Sequence, residues 1–133
     1  MMKEIILTKD APAPIGPYAQ AVMLDLTKAK KILFCSGQIP LDPITGAVVG
    51  EGDVEAQTKQ VMKNIAAVLG QAGLHFKDII KTTIFLKNMT DFPKVNAIYG
   101  ENFTAPISAA RSTIEVARLP KDVLVEIEVT ASA

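Results

Sequence analysis

The chain contains one cysteine, Cys35, one histidine, His75, and no tryptophan. A lone cysteine forbids an intrachain disulfide and suits a reducing compartment. One Cys and one His, far apart in sequence, do not supply the spacing of a zinc site or of a Cys-His nucleophilic pair. Aromatic residues make up only 5% of the chain, so core packing has to rest on Ile, Val, Leu and Ala. Charge of one sign is also lacking: 14 Lys and Arg stand against 14 Asp and Glu. That balance argues against a general attraction to nucleic acid or an anionic membrane, and it leaves little repulsion against self-association. No run approaches the ~20 apolar residues of a membrane span, and Met1-Met2-Lys3-Glu4 opens no cleavable apolar segment. No Gly-Lys-Ser/Thr follows Gly46, Gly50 and Gly52, so there is no phosphate loop. A cytoplasmic protein whose chemistry calls for neither metal nor cofactor is expected.

What is present is a globular composition. Of 133 residues 49% are hydrophobic, enough for one domain spanning 1–133 with one core. Lys3–Thr8 reads as a short strand. Asp10–Pro17 carries Pro12, Pro14, Gly16 and Pro17, which exclude a helix and a central strand, so this is a stiff segment delivering Tyr18 to a fixed place. Tyr18–Asp25 and Lys31–Gln38 read as strands, the second around Ile32-Leu33-Phe34-Cys35. Pro40–Gly50 is a loop or small hairpin. From Asp53 to Gly73, apolar residues recur at three and four (Val54, Val61, Met62, Ile65, Val68, Leu69), which predicts a helix started by Asp53 and stopped by Gly70 or Gly73. Ile79–Leu86 is a β-branched strand. Thr90 or Asp91 caps a second helix, with Pro93 in its first turn and Phe92, Val95, Ile98, Tyr99 and Phe103 as its apolar stripe. Thr104–Ala109 is a loop broken by Pro106.

The last stretch, Ala110–Val129, reads as two strands joined by a turn at Leu119-Pro120-Lys121-Asp122. Val123, Val125, Ile127 and Val129 alternate with Glu126 and Glu128; Ile114 and Val116 alternate with Arg111, Thr113 and Glu115. With both apolar sets on the core face, Arg111, Thr113, Glu115, Glu126 and Glu128 share the other, and Glu115 falls close to opposite Glu126. Like charges across a ladder destabilise it, so this face is either solvated or resolved by a ligand, a subunit or a bound proton. The resulting order, β-β-β-α-β-α-β-β, predicts an α/β (α+β) fold with a six-stranded mixed sheet and two helices on one face. The uncovered face is half apolar, which predicts a closed oligomer.

Each candidate residue has a commoner role beside the chemical one. Arg111 suits bidentate binding of a carboxylate, or a structural pair with Glu126 or Glu128. Glu126, if desolvated, can carry protons, although an exposed strand residue is commoner. Tyr18 either places a hydroxyl in a pocket or is half-buried. Ser36-Gly37, at a strand end, allows close backbone approach; Ser36 has no histidine nearby to activate it as a nucleophile. Asn96 is most often a helix-surface residue.

Ala110 through Val123, followed by Val125-Glu126-Ile127-Glu128, resembles the C-terminal signature of the RidA/YjgF family. Ala13-Pro14-Ile15-Gly16-Pro17-Tyr18, Ser36-Gly37-Gln38-Ile39-Pro40, and Asp91-Phe92 through Val95-Asn96 and Tyr99 resemble its other motifs, in the family's order and over essentially the whole chain. The resemblance implies a chorismate-mutase-like fold and a homotrimer with a central barrel of sheets, helices outside, and ligand clefts between subunits. It implies hydrolytic deamination of reactive enamines and imines (2-aminoacrylate/2-iminopropanoate, 2-iminobutanoate) to 2-oxo acids and ammonia. Arg111 would hold the substrate carboxylate and Glu126 would position water and pass protons, both in a catalytic role. Tyr18, Ser36, Gly37, Asn96 and Thr113 would line the cleft. Two departures bear on specificity: Thr113 stands where close relatives often have Cys, and Ala109-Ala110-Arg111 replaces the more usual Pro-Ala-Arg after a short loop. Two other readings remain: an endoribonuclease or translation inhibitor, against which the neutral charge speaks, and a non-catalytic trimer holding small carboxylates for regulation.

Overall fold

The computed structural model of the chain describes residues 2–133. Its main elements are β1 (Lys3–Ile6), β2 (Ala21–Leu24), β3 (Ile32–Gln38), α1 (Val54–Gln71), β4 (Ile79–Leu86), α2 (Phe92–Gly100), β5 (Ala110–Glu115) and β6 (Val125–Ser132), in the order the sequence predicts. Asp53 caps α1, its carboxylate accepting the N–H groups of Glu55 and Ala56 at 3.1 Å each, a contact worth about 1 kcal/mol. Beyond its C-terminus Gly73 takes a left-handed φ of 75°, and Leu74 N–H returns to the Leu69 carbonyl at 2.8 Å. On α2, Pro93 lies in the first turn as anticipated.

The six strands divide between two sheets rather than forming one. β1 and β2 pair antiparallel as a ribbon, and the other four run in the order β3-β6-β4-β5. One parallel bridge, Ala19 to Ala110, joins the segment ahead of β2 to β5, with Ala19 N–H donating to the Ala109 carbonyl at 2.9 Å. The prolines ahead of Tyr18 explain why pairing goes no further: they remove the donors a longer ladder needs.

The expected Ala110–Val129 hairpin does not form. β5 lies parallel to β4 on one side, and β6 lies antiparallel to β4 on the other. The cause is the helix before β5: a β4-α2-β5 crossover returns the chain to the same end of the sheet and makes the two strands parallel neighbours. The turn is a short 3-10 segment, Pro120–Asp122, in which Lys121 and Asp122 have φ of 55° and 54°. Glu115 therefore sits opposite Leu86, and Glu126 opposite Phe85.

The register also reassigns the faces. Thr82, Ile84 and Leu86 of β4 and Val125, Ile127 and Val129 of β6 are buried; all but Thr82 lie in one cluster with Val61, Met62, Ile65 and Leu69 of α1 and Val95 and Tyr99 of α2. Arg111, Thr113 and Glu115 are the β5 partners of Thr82, Ile84 and Leu86, so they share the helix-covered side. Glu126 and Glu128 pair with Phe85 and Thr83 on the opposite side. The shared face predicted for these five residues thus splits in two. Its premise was that Ile114 marks the core; Ile114 is instead 44% exposed, on the uncovered side. That side also bears Ile32 and Phe34 of β3, 47% and 78% exposed.

Candidate functional site

Arg111 emerges from the edge strand β5 at the side of α2. Its guanidinium carbon lies 4.8 Å from the ring centre of Tyr18, 5.2 Å from that of Tyr99 and 5.7 Å from that of Phe92. Phe92, Asn96 and Tyr99 are one and two turns apart on α2 and so present one stripe. Tyr99 is fully buried, and its hydroxyl donates to Thr82 Oγ1 at 2.9 Å. Since Thr82 is the register partner of Arg111, the ring is locked beside the guanidinium. Tyr18 arrives on the proline-rich segment, where Ile15 N–H donates to its hydroxyl at 3.2 Å.

No carboxylate balances this cation: among the described residues Arg111 forms no ion pair. Its buried Nη1 has no hydrogen-bond partner, and neither have Asn96 Oδ1 and Thr113 Oγ1. Burial lowers the Arg111 pKa, with Tyr99 and Tyr18 opposing the shift. A guanidinium stays charged regardless, so the arrangement is suited to a small anion with bidentate oxygens.

The second group lies on the far side of the sheet. Glu126 on β6 is half-buried beside Gly37 at the end of β3, where a Cβ on Gly37 would fall only 2.0 Å from Glu126 Oε2. The β3–β6 register is broken between Cys35 and Gln38. This bulge holds Ser36, exposed, and Gly37. Burial, and then the charge of Glu128, raise the Glu126 pKa. Glu128 itself is exposed. Glu115 has a structural role: its carboxylate accepts Met89 N–H at 2.8 Å at the 3-10 turn Met89–Asp91.

The structure therefore brings Arg111, Tyr18 and Asn96 together, with Thr113 two residues along the same face of β5. It brings Ser36, Gly37 and Glu126 together elsewhere. Within one chain the two groups occupy opposite faces of the sheet, and the pairing of Arg111 with Glu126 or Glu128 considered from the sequence does not occur. The sequence reading missed Tyr99 and Phe92 as walls of the Arg111 site, having placed them in an apolar stripe and in a family motif without a role at the site. Their spacing with Asn96 on α2, beside an edge strand entered by an arginine, was the available signal.

Comparison with known proteins agrees with the motifs. The sequence profile of the family described as Endoribonuclease L-PSP matches residues 8–133. A RutC family protein of Synechocystis sp. is 54% identical over 131 residues, covering 98% of this chain and 97% of that one. The 2-iminobutanoate/2-iminopropanoate deaminase of Salmonella typhimurium is 49% identical over 132 residues, covering 98% of each. Among solved structures, E. coli TdcF with bound serine superposes with a TM-score of 0.70 at 41% identity, covering 98% of each chain. No described helix is long and apolar enough to cross a membrane. With the caged arginine, the half-buried glutamate and these matches in agreement, the chain belongs to the Endoribonuclease L-PSP family, the RidA/YjgF family its motifs resemble.

Proposed function

We propose that this protein hydrolyses reactive imino and enamino acids to 2-oxo acids and ammonia, in clefts formed where copies of the chain meet in a trimer. The observation that carries the reading is Arg111: a half-buried cation enclosed by three rings, without a carboxylate partner among the described residues, beside the unpartnered oxygens of Asn96 and Thr113. Such a group is stabilised by a ligand carboxylate and by little else in reach. The named activity of the Salmonella relative, and the serine of the TdcF structure, are consistent with a small amino-acid-derived carboxylate.

The chemistry needs few groups. An iminium carbon is already electrophilic, so an oriented water and a proton carrier suffice. Glu126 takes a proton as the water adds to the C=N carbon. Glu126 returns that proton to the nitrogen of the resulting carbinolamine, then takes the hydroxyl proton as the C–N bond breaks and the C=O bond forms, and ammonia leaves. An enamine first takes a proton on carbon and so becomes the iminium. Arg111 holds the carboxylate throughout; Tyr18, Asn96 and Thr113 line its pocket, and Ser36 and Gly37 line the water side. Because Arg111 and Glu126 lie on opposite faces of one sheet, the reading requires a neighbouring copy to bring its Glu126 to this Arg111. The exposed Phe34, Ile32 and Ile114 on the Glu126 face favour such packing.

The test couples a threonine dehydratase to the purified protein and follows loss of the imine. The wild-type protein accelerates that loss. Arg111→Ala removes a buried charge contact of about 2–5 kcal/mol, so the rate falls at least ~30-fold while the assembly stays folded; near-normal turnover sinks the assignment. The unpartnered guanidinium favours one other reading, a trimer that binds small carboxylates for regulation. Binding of 2-oxobutanoate without any acceleration would select it.

A further inference from the structure

The segment ahead of β2 is a strap fastened from within. The Gln20 amide accepts Thr8 N–H at 2.7 Å and donates to the carbonyls of Thr8, Ala11 and Pro12 at 3.0, 3.2 and 2.9 Å. Tyr18 N–H closes a tight turn onto the Gly16 carbonyl at 2.9 Å. The turn meets α2 at two points one helical turn apart. A Cβ on Gly16 would lie 2.9 Å from Arg111 Nη2 and 3.0 Å from both Nδ2 and Oδ1 of Asn96. A Cβ on Gly100 would lie 3.2 and 3.3 Å from Cγ and Cβ of Pro17. Neither glycine has a left-handed φ, unlike Gly46, Gly50, Gly52 and Gly73. Their missing side chains serve close approach, not backbone conformation.

We propose that Gly16 is a positioning residue of the Arg111 clamp: its bare Cα seats the strap directly on the guanidinium and on the Asn96 amide, fixing both for a carboxylate ligand. Gly100 admits Pro17 and so sets how deeply the strap sits. The inference rests on the reading of Arg111 as a carboxylate clamp and adds what holds that clamp in place. A methyl at Gly16 collides with the polar ends of the Arg111 and Asn96 side chains, which yield more readily than backbone would. In doing so they leave the geometry a bidentate carboxylate requires. A contact made to the backbone or to core side chains would act in the opposite sense, on stability first. At Gly100 the methyl meets a ring that can slide by a few tenths of an ångström, so the effect there is smaller.

The experiment measures 2-oxobutanoate binding by titration calorimetry, together with KM and kcat in the coupled imine assay and the thermal midpoint, for Gly16→Ala, Gly100→Ala, Asn96→Ala, Arg111→Ala and the Gly16→Ala/Asn96→Ala pair. Gly16→Ala is expected to weaken binding and raise KM by about 10–100-fold, with a midpoint within a few degrees of wild type. Gly100→Ala shifts KM in the same direction by less. Removing the Asn96 amide opens room for the new methyl, so the double variant loses less than the product of the single losses. Unchanged binding in Gly16→Ala, a loss that follows a falling midpoint, or strictly multiplicative effects in the pair would overturn the proposal. Arg111→Ala separates the two levels. If that variant still binds normally, the clamp reading itself fails; if it loses binding while Gly16→Ala does not, only the positioning role fails.

Discussion

Arg111 and Glu126 are both half-buried ionisable groups without an ion pair among the described residues, yet the two sides of the sheet treat them differently. Arg111 is walled by Tyr18, Phe92 and Tyr99 and pressed by a strap tied down through Gln20. Glu126 stands on the open face, with Gly37 beside it and the like charge of Glu128 nearby. Burial disfavours the charged form of each, lowering the pKa of one and raising that of the other. The consequences diverge, because a guanidinium cannot give up its proton near neutral pH. Its desolvation has to be offset by an anion, which suits it to the anchoring role proposed above. A carboxylate can accept a proton, so the same burial suits Glu126 to the proposed role of carrier. The rigid enclosure belongs with the group that must not move and the open setting with the group that must exchange with water.

The sharpest way to break this comparison is to separate the two groups onto different chains. Arg111→Ala should reduce imine hydrolysis by at least ~30-fold, through binding, and Glu126→Gln by ~100-fold or more, through proton transfer. If each cleft takes Arg111 from one copy and Glu126 from the next, unfolding and refolding an equal mixture of the two variants restores activity. With random assembly, about a quarter of the clefts then hold both native residues. Activity that stays at the level of the separate variants would show that anchor and carrier belong to one copy, and the two faces would have to be joined in another way.

A smaller effect sharpens the carrier's side. Glu126 has a raised pKa in the folded chain, so between its unfolded and folded values the native state binds the extra proton. Stability therefore falls as pH rises through that window, and above it the charged, half-buried carboxylate is a liability. Glu126→Gln removes the liability. The variant should melt slightly higher than wild type at neutral pH and lose that advantage in acid below the ordinary carboxylate range. The wild-type hydrolysis rate should rise with pH across the same window, as Glu126 becomes able to accept a proton. A melting difference independent of pH would assign the raised pKa no part in the design. Arg111 offers no such window, since it does not titrate there.

The two sides were also unequally legible from sequence. The strand and helix order, the Asp53 cap and the Ile79–Leu86 strand follow from periodicity and turn chemistry, which are local properties. The grouping of Arg111 with Tyr18 and Asn96 required the motif resemblance, because residues so far apart in the chain meet only through β4-α2-β5. Strand pairing was misread where a short turn after β5 suggested a hairpin. The parallel crossover instead inserted β4 between β5 and β6, and with it moved Arg111 to the face opposite Glu126. Ile114 misled for a physical reason: an apolar residue on a strand marks burial without saying whether a helix or another copy provides it. The role proposed for Gly16 could not be read from sequence, since a glycine needed for close contact looks like one needed for a turn.

The least effect is expected at Tyr18, where the comparison can be tested within the enclosure itself. Tyr18 contributes a ring over the guanidinium at 4.8 Å and a hydroxyl that accepts Ile15 N–H at 3.2 Å. Tyr18→Phe keeps the ring and its attraction for the cation but leaves that N–H to find water, which this exposed turn can supply. The net loss of such a hydrogen bond is about 0.5–1.5 kcal/mol, so KM should rise by no more than ~10-fold with kcat nearly unchanged. Tyr18→Leu also removes the π face and should cost several-fold more. Equal losses in the two variants would mean that the hydroxyl, and not the ring, is what this residue brings to the site. The aromatic enclosure would then reduce to Tyr99 and Phe92, both on α2, and the strap would act on Arg111 through Gly16 alone.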